Sequence, residues 1–253
     1  MAHPAIEAMF TIDEETGMTG AKELDPSFYE GTILLNLDTE EDDEISIGCA
    51  GGIDTNTHYQ YQEEQTPSHD LTTYKIVVKG LVGGHSGMDI HRGRGNANKL
   101  ITRILFDCPL AYYLHEFDGG GLRNAIPREA HAIASVSVND ETAFVDYIAE
   151  MNAVFQNELG PVEKHLKLFV EKVEKPLQCV AASDTKKIIQ TLYAVHNGVF
   201  KMSLTMDDLV ETSSSLAQVV IKNGSFITKS LQRSSVDSTK QDVANAVRAP
   251  FEL

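Results

Sequence analysis

The sequence predicts an α+β fold: a short piece of α/β-type sheet followed by a ferredoxin-like (βαββαβ) domain. Three observations predict it. Two apolar, strand-like runs near the start, residues 8–12 and 32–37, each lead directly into acidic residues. A polar stretch, residues 60–70, then interrupts the pattern. Beyond it the hydrophobic period runs strand, helix, strand, strand, helix, strand, which is the split βαβ order.

Taken in order, residues 8–12 lead into Asp13, Glu14 and Glu15, and residues 32–37 into Asp38. Ligands of an open α/β sheet collect at the carboxyl ends of its strands. Neighbouring strand ends with Glu14, Glu15 and Asp38 would set hard oxygen donors side by side. Such a place suits divalent metal ions and a carboxylate general base. The acidic run 40–44 lacks the glycine and spacing of a calcium loop and reads as a solvated turn. Gly51-Gly52 marks a crossing point between domains, because glycine tolerates unusual backbone angles.

The longer domain opens with a strand over 72–79. Leu100, Ile101, Ile104 and Leu105 recur at helical spacing within 96–106. Strands follow over 110–117 and 130–138. An amphipathic helix over 143–159 is introduced by the capping residues Asn139, Asp140 and Thr142, and a strand over 166–171 completes the motif. After it come a helix over 184–195, strands over 217–221 and 225–231, and a helix starting near Ser238.

The composition, with 42% hydrophobic and 23% charged residues, is that of an ordinary globular protein. A formal charge of −16 argues against nucleic acid or an anionic membrane surface as a partner, since both need basic patches. Cys49, Cys108 and Cys179 lie far apart, which argues against a zinc knuckle or a disulfide framework and fits a reducing compartment. No basic leader or long apolar span is present, so the expected location is the cytoplasm.

Seven motifs occur in one order: His3-Pro4-Ala5-Ile6-Glu7, Thr11-Ile12-Asp13-Glu14-Glu15-Thr16-Gly17-Met18-Thr19-Gly20-Ala21, Leu35-Asn36-Leu37-Asp38-Thr39-Glu40-Glu41, Gly48-Cys49-Ala50-Gly51-Gly52-Ile53-Asp54, Gly83-Gly84-His85-Ser86-Gly87, Gly95-Asn96-Ala97-Asn98-Lys99-Leu100 and Arg123-Asn124-Ala125-Ile126-Pro127-Arg128-Glu129. Together they closely resemble the aminoacyl-histidine (Xaa-His) dipeptidase family of co-catalytic di-zinc metallopeptidases. The resemblance implies metal-dependent hydrolysis of small peptides. It implies two divalent metal ions, zinc foremost, with cobalt or manganese as alternatives, and a homodimer. It casts Glu14 as the general base and Glu15 and Asp38 as metal ligands. Asp13 is a loop or supporting residue.

By the same resemblance His85, in a glycine-flanked turn of the lid, reaches the substrate and stabilises the developing oxyanion. Its loop is not a phosphate cradle, since no Lys-Ser/Thr follows it. Asn124 holds the substrate, and Arg233 clamps the free carboxylate of a dipeptide, which a guanidinium suits through a bidentate pair. The bland alternatives are a structural histidine, a turn asparagine and a surface arginine.

The resemblance begins inside the family's catalytic domain. An upstream His-x-Asp segment, the aspartate that bridges the metals and a final histidine ligand have no counterpart here. The chain therefore reads as a central fragment: residues 1–52 from the catalytic domain, 53–250 as the lid and dimerisation domain, and 251–253 as the start of the return. Strands that should flank residues 8–12 and 32–37 are absent, which predicts that those runs are exposed or half covered. Taken alone, such a fragment is expected to be inactive. Its rival readings are a non-catalytic lid or dimerisation module and a related amidohydrolase acting on acyl amino acids.

Overall fold

A computed structural model describes residues 3–14, 18–37 and 49–253 of the protein. The chain divides into two compact units, Met1–Ile47 and Gly48–Leu253.

In the first unit the regular elements are one helical turn, α1 (Thr19–Lys22), and a 3₁₀ turn, Pro26–Phe28. The strands expected over 8–12 and 32–37 do not form. Phe10, Ile12, Ile33, Leu34, Leu35 and Leu37 all lie exposed. The reason is physical. A strand exists only when a neighbour takes up its backbone N–H and C=O groups, and among the described residues none is paired with these runs. Carboxylates order the unit locally instead. Glu7 accepts the N–H groups of Glu30 and Gly31, the latter at 2.8 Å. Asp25 caps the 3₁₀ turn by accepting Ser27 N–H at 2.8 Å.

The second unit holds the strands β1 (Gly51–Gln60), β2 (Glu63–Gln65), β3 (Leu71–Lys79), β4 (Gly84–His85), β5 (Tyr112–Gly120), β6 (Ala125–Ile126), β7 (Ala130–Ser137), β8 (Lys167–Lys172), β9 (Gln178–Val180), β10 (Gly198–Met202), β11 (Val210–Lys222) and β12 (Ser225–Ser234). Its helices are α2 (Ala97–Asp107), α3 (Glu141–Leu159), α4 (Ala182–Ala194) and α5 (Asp237–Arg248). The main sheet runs β1-β12-β11-β5-β7-β3-β8, with β10 pairing β11.

Within it, β5-β7-β3-β8 and the helices α2 and α3 form the ferredoxin-like βαββαβ unit, as the hydrophobic period predicts. Every adjacent pair there is antiparallel. Burial alternates along β3, so that Tyr74, Ile76 and Val78 point into the core. They meet Ile101 and Ile104 of α2 and Phe144, Ile148 and Phe155 of α3 in one apolar cluster. Asn96 starts α2, its side chain accepting the N–H groups of Asn98 and Lys99 at 3.0 and 3.3 Å.

Two long strands extend the sheet beyond β5. The expected 217–221 and 225–231 are the apolar parts of β11 and β12, which run on to Val210 and Ser234. β1 pairs β12 from Gly51 to Gln60, so the glycines expected at a crossing point open an edge strand of the second unit. Part of the expected polar loop is a strand, since β2 pairs β9 over Glu63–Gln65.

Candidate functional site

Two loops and one strand end of the second unit bring chemistry together. The first, between β3 and α2, carries His85. β4 and β6 pair two residues at a time, setting Gly84 opposite Ile126 and His85 opposite Ala125. Ser86 N–H then donates to the Asn124 carbonyl at 2.7 Å. The backbone therefore locks the histidine turn against the asparagine loop. From the far end of β12, Arg233 reaches the same place, its Nη2 lying 3.3 Å from His85 Nε2. Thus His85, Asn124 and Arg233, separated widely in sequence, gather at one point.

Gly87 makes that approach possible. A Cβ there would stand 2.9 Å from Arg233 Cδ and 3.3 Å from His85 Cε1, so any side chain would push the arginine from the imidazole.

The imidazole's tautomer follows from its neighbours. His85 Nδ1 faces the N–H groups of Met88 at 3.1 Å and Gly87 at 3.3 Å, and must accept them. The ring proton then sits on Nε2. That N–H and the Arg233 guanidinium are then both donors, 3.3 Å apart, and make no hydrogen bond to each other; the pair calls for an acceptor beside it. Burial pulls the Arg233 guanidinium below its ordinary pKa; the neighbouring Arg123 adds to this and Asp54 opposes it. Arg123 itself pairs with Asp54 at 3.0 Å. Among the described residues the buried Nε atoms of Arg123 and Arg233 and the buried Ser86 hydroxyl meet no hydrogen-bond partner. A cluster of this kind suits an anionic or carbonyl oxygen ligand.

Arg123 and Asp54 lie within the motif runs, but the sequence gives neither a role. Their ion pair joins β1 to a distant loop, and no local spacing signals it.

Of the acidic candidates, Glu14 lies exposed in the first unit. Asp13 beside it closes a turn, adopting φ 61° and accepting the Thr19 hydroxyl at 2.5 Å. Glu15 and Asp38 fall outside the described residues. Among the described residues no three His, Cys, Asp or Glu side chains come together as a metal would need. The described residues do not by themselves make up a metal centre.

Comparison with known proteins adds to this geometry. Residues 76–163 match the peptidase dimerisation domain family. The chain is 37% identical to the "cytosol non-specific dipeptidase" of Escherichia coli (strain K12) over 97% of its own length and 51% of that protein. A crystal structure of aminoacylhistidine dipeptidase from Vibrio alginolyticus matches with a TM-score of 0.84 and 38% identity, over 96% of this chain and 50% of that one. These similarities bear out the resemblance carried by the motifs. The chain spans about half the length of each of these relatives. Among the described residues no helix is long and apolar enough to cross a membrane.

Proposed function

We propose, for a chain homologous over nearly its whole length to one half of a dipeptidase, that it belongs to a metal-dependent hydrolase of dipeptides, with Xaa-His dipeptides as the preferred class. The observation that carries the reading is the convergence of an imidazole N–H and a guanidinium 3.3 Å apart, beside the asparagine loop. In this reading Arg233 takes the free carboxylate of the dipeptide through its fork of N–H groups. His85 presents Nε2–H to the oxygen on which negative charge develops, and the Asn124 side chain holds the peptide group between them. Ser86 and Arg123 bound the same space.

Glu14 is the general base of this proposal, and Glu15 and Asp38 are ligands to divalent metal ions, zinc foremost. The metal would supply an activated water. That assignment rests on the motif Thr11-Ile12-Asp13-Glu14-Glu15 and on the resemblance it carries. A cytoplasmic location fits the scattered cysteines and the name of the E. coli relative. The dimerisation-domain match over 76–163 supports a second copy of the chain as partner.

The name of the E. coli relative, non-specific, favours a second reading in which the residue beside the free carboxylate is not restricted to histidine. One panel separates the two. Xaa-His dipeptides, other dipeptides and acyl amino acids are titrated against the purified chain by calorimetry. The proposal expects Xaa-His dipeptides to bind most tightly. Equal binding of all dipeptides would support the broader reading. Acyl amino acids binding as tightly as dipeptides would overturn the dipeptide assignment.

A further inference from the structure

We propose that Glu163 is a positioning residue for His85: its carboxylate clasps the two ends of the loop that carries the histidine. Glu163 lies just beyond the end of α3 and is 0% exposed. One oxygen accepts Val82 N–H at 2.7 Å and the other accepts Gly95 N–H at 2.9 Å. These donors sit at the start and the end of the loop between β3 and α2, with His85 in between. A single side chain thus closes the neck of a loop with thirteen sequence steps between its two donors, from residue 82 to residue 95.

The clasp is itself held in place. Glu163 N–H donates to the Leu159 carbonyl at 2.7 Å, and Leu166 N–H donates to the Glu163 carbonyl at 3.2 Å. At the loop's entry Gly80 adopts φ 81°, and a Cβ there would lie 2.1 Å from the His165 carbonyl oxygen. The loop base is thereby pressed against the segment that carries Glu163. Burying a carboxylate is costly unless its oxygens find donors, and among the described residues no lysine or arginine pairs with this one. Its carboxylate oxygens take the two backbone N–H groups of the neck. That expense makes sense if the side chain's task is to fix the loop.

Inside the neck a second carboxylate braces the turn. Asp89 accepts His85 N–H at 2.9 Å and pairs with Arg94 at 2.9 Å, while Arg94 donates to the Gly83 carbonyl at 2.6 Å. Glu163 holds the loop to the domain, and Asp89 shapes the turn within it. The outcome of both is the orientation in which His85 Nδ1 accepts two backbone N–H groups and Nε2 carries the proton.

The contact of His85 with substrate rests on the function proposed above; the test addresses His85 directly. In the purified 253-residue chain, imidazole ¹⁵N shifts report the tautomer, with His85→Asn used to assign the signal. Amide exchange reports the loop. In the parent, Val82 and Gly95 amides should exchange as slowly as those of β3. Exchange at the rate of exposed loop amides would overturn the proposal.

Glu163→Gln keeps the shape but sets an amide donor against one of the two N–H groups. It should raise exchange over residues 83–92 roughly ten- to a hundredfold, the worth of a hydrogen bond to a charged group. It should also shift the His85 ring from one tautomer to a mixture. Should that variant not fold, Glu163→Asp, which retracts the carboxylate by one methylene, is measured in its place with the same expectation. An unchanged His85 tautomer in a folded variant overturns the proposal, as does loss of protection spread evenly over the whole domain. If the tautomer shifts but dipeptide binding does not change, Glu163 keeps its role and the substrate role of His85 falls.

Discussion

His115 shows how one residue can couple stability to pH without touching the candidate site. It is the extra residue in a β-bulge, since Leu114 and Glu116 face the consecutive residues Ala134 and Ile133 of β7. Its Nδ1–H donates to the Gln178 carbonyl at 2.7 Å, which leaves Nε2 to accept from the Ser135 hydroxyl at 2.7 Å. Burial is the first cause that lowers its pKa, Lys175 adds to it, and the bond to Gln178 opposes both. The folded ring therefore protonates below about 6.5, the value of an unfolded histidine. Between those two points the unfolded chain binds more protons than the folded one. The contribution of His115 is thus complete above about pH 6.5 and is lost as the pH falls toward the folded value. His115→Gln can donate and accept but cannot titrate. Urea denaturation of both proteins from pH 7.5 to 5 should show the parent losing stability relative to the variant below about pH 6.5, by at most about 1.4 kcal/mol per pH unit. A difference that stays flat over that range would contradict the account.

At the scale of elements, what the sequence reveals depends on whether apolar side chains carry the packing. α2 and α3 were legible because Leu100, Ile101, Ile104 and Phe144, Ile148, Phe155 repeat at helical spacing and enter one core. The first half of β11 was not, because Thr212, Ser213, Ser214 and Ser215 look like a turn yet are buried. Cross-strand hydroxyl pairing holds that region: Thr212 meets Ser234 at 2.8 Å, and Gln232 donates to Ser214 at 3.3 Å. β1 escaped notice for the same reason. Its Thr55 donates to Gln232 at 2.6 Å and its Thr57 meets Thr228 at 2.7 Å, and neither bond leaves a hydrophobic trace. Lys99 shows the same limit within a helix. It belongs to a motif run, and its ammonium donates to the carbonyls of Leu192, Tyr193 and Val195 and closes the end of α4. The candidate site divides in the same way. His85 and Asn124 lie within motif runs and Arg233 follows a strand, whereas Glu163 and the pairing of Arg123 with Asp54 act through tertiary contacts that no spacing encodes.

At the scale of the whole molecule, the two units differ in how their apolar residues are used. The second unit buries Phe117, Phe144 and Phe155 within 1% of full burial. The first leaves Phe10 91% and Phe28 76% exposed. Chymotrypsin requires an accessible aromatic side chain in a chain segment that can open locally. Brief digestion should therefore cut first after Phe10, Phe28 or Tyr29 and leave a product containing Gly48–Leu253, read by intact-mass spectrometry. Early cleavage after Phe144 or Phe155 would show that the second unit does not hold together by itself.

In the proposed function the second unit grips the free carboxylate of a dipeptide through Arg233, beside His85 and Asn124. The most direct test follows the Arg233 Nε–H and Asn124 side-chain amide signals by NMR while an Xaa-His dipeptide is added, and repeats the titration with the same dipeptide capped as a C-terminal amide. The account predicts saturable shifts of both signals with the free acid. With the amide, affinity should fall roughly ten- to a hundredfold, the worth of a charge-assisted pair, and Arg233→Ala should erase the preference. Equal binding of acid and amide, or a preference that survives Arg233→Ala, would contradict it.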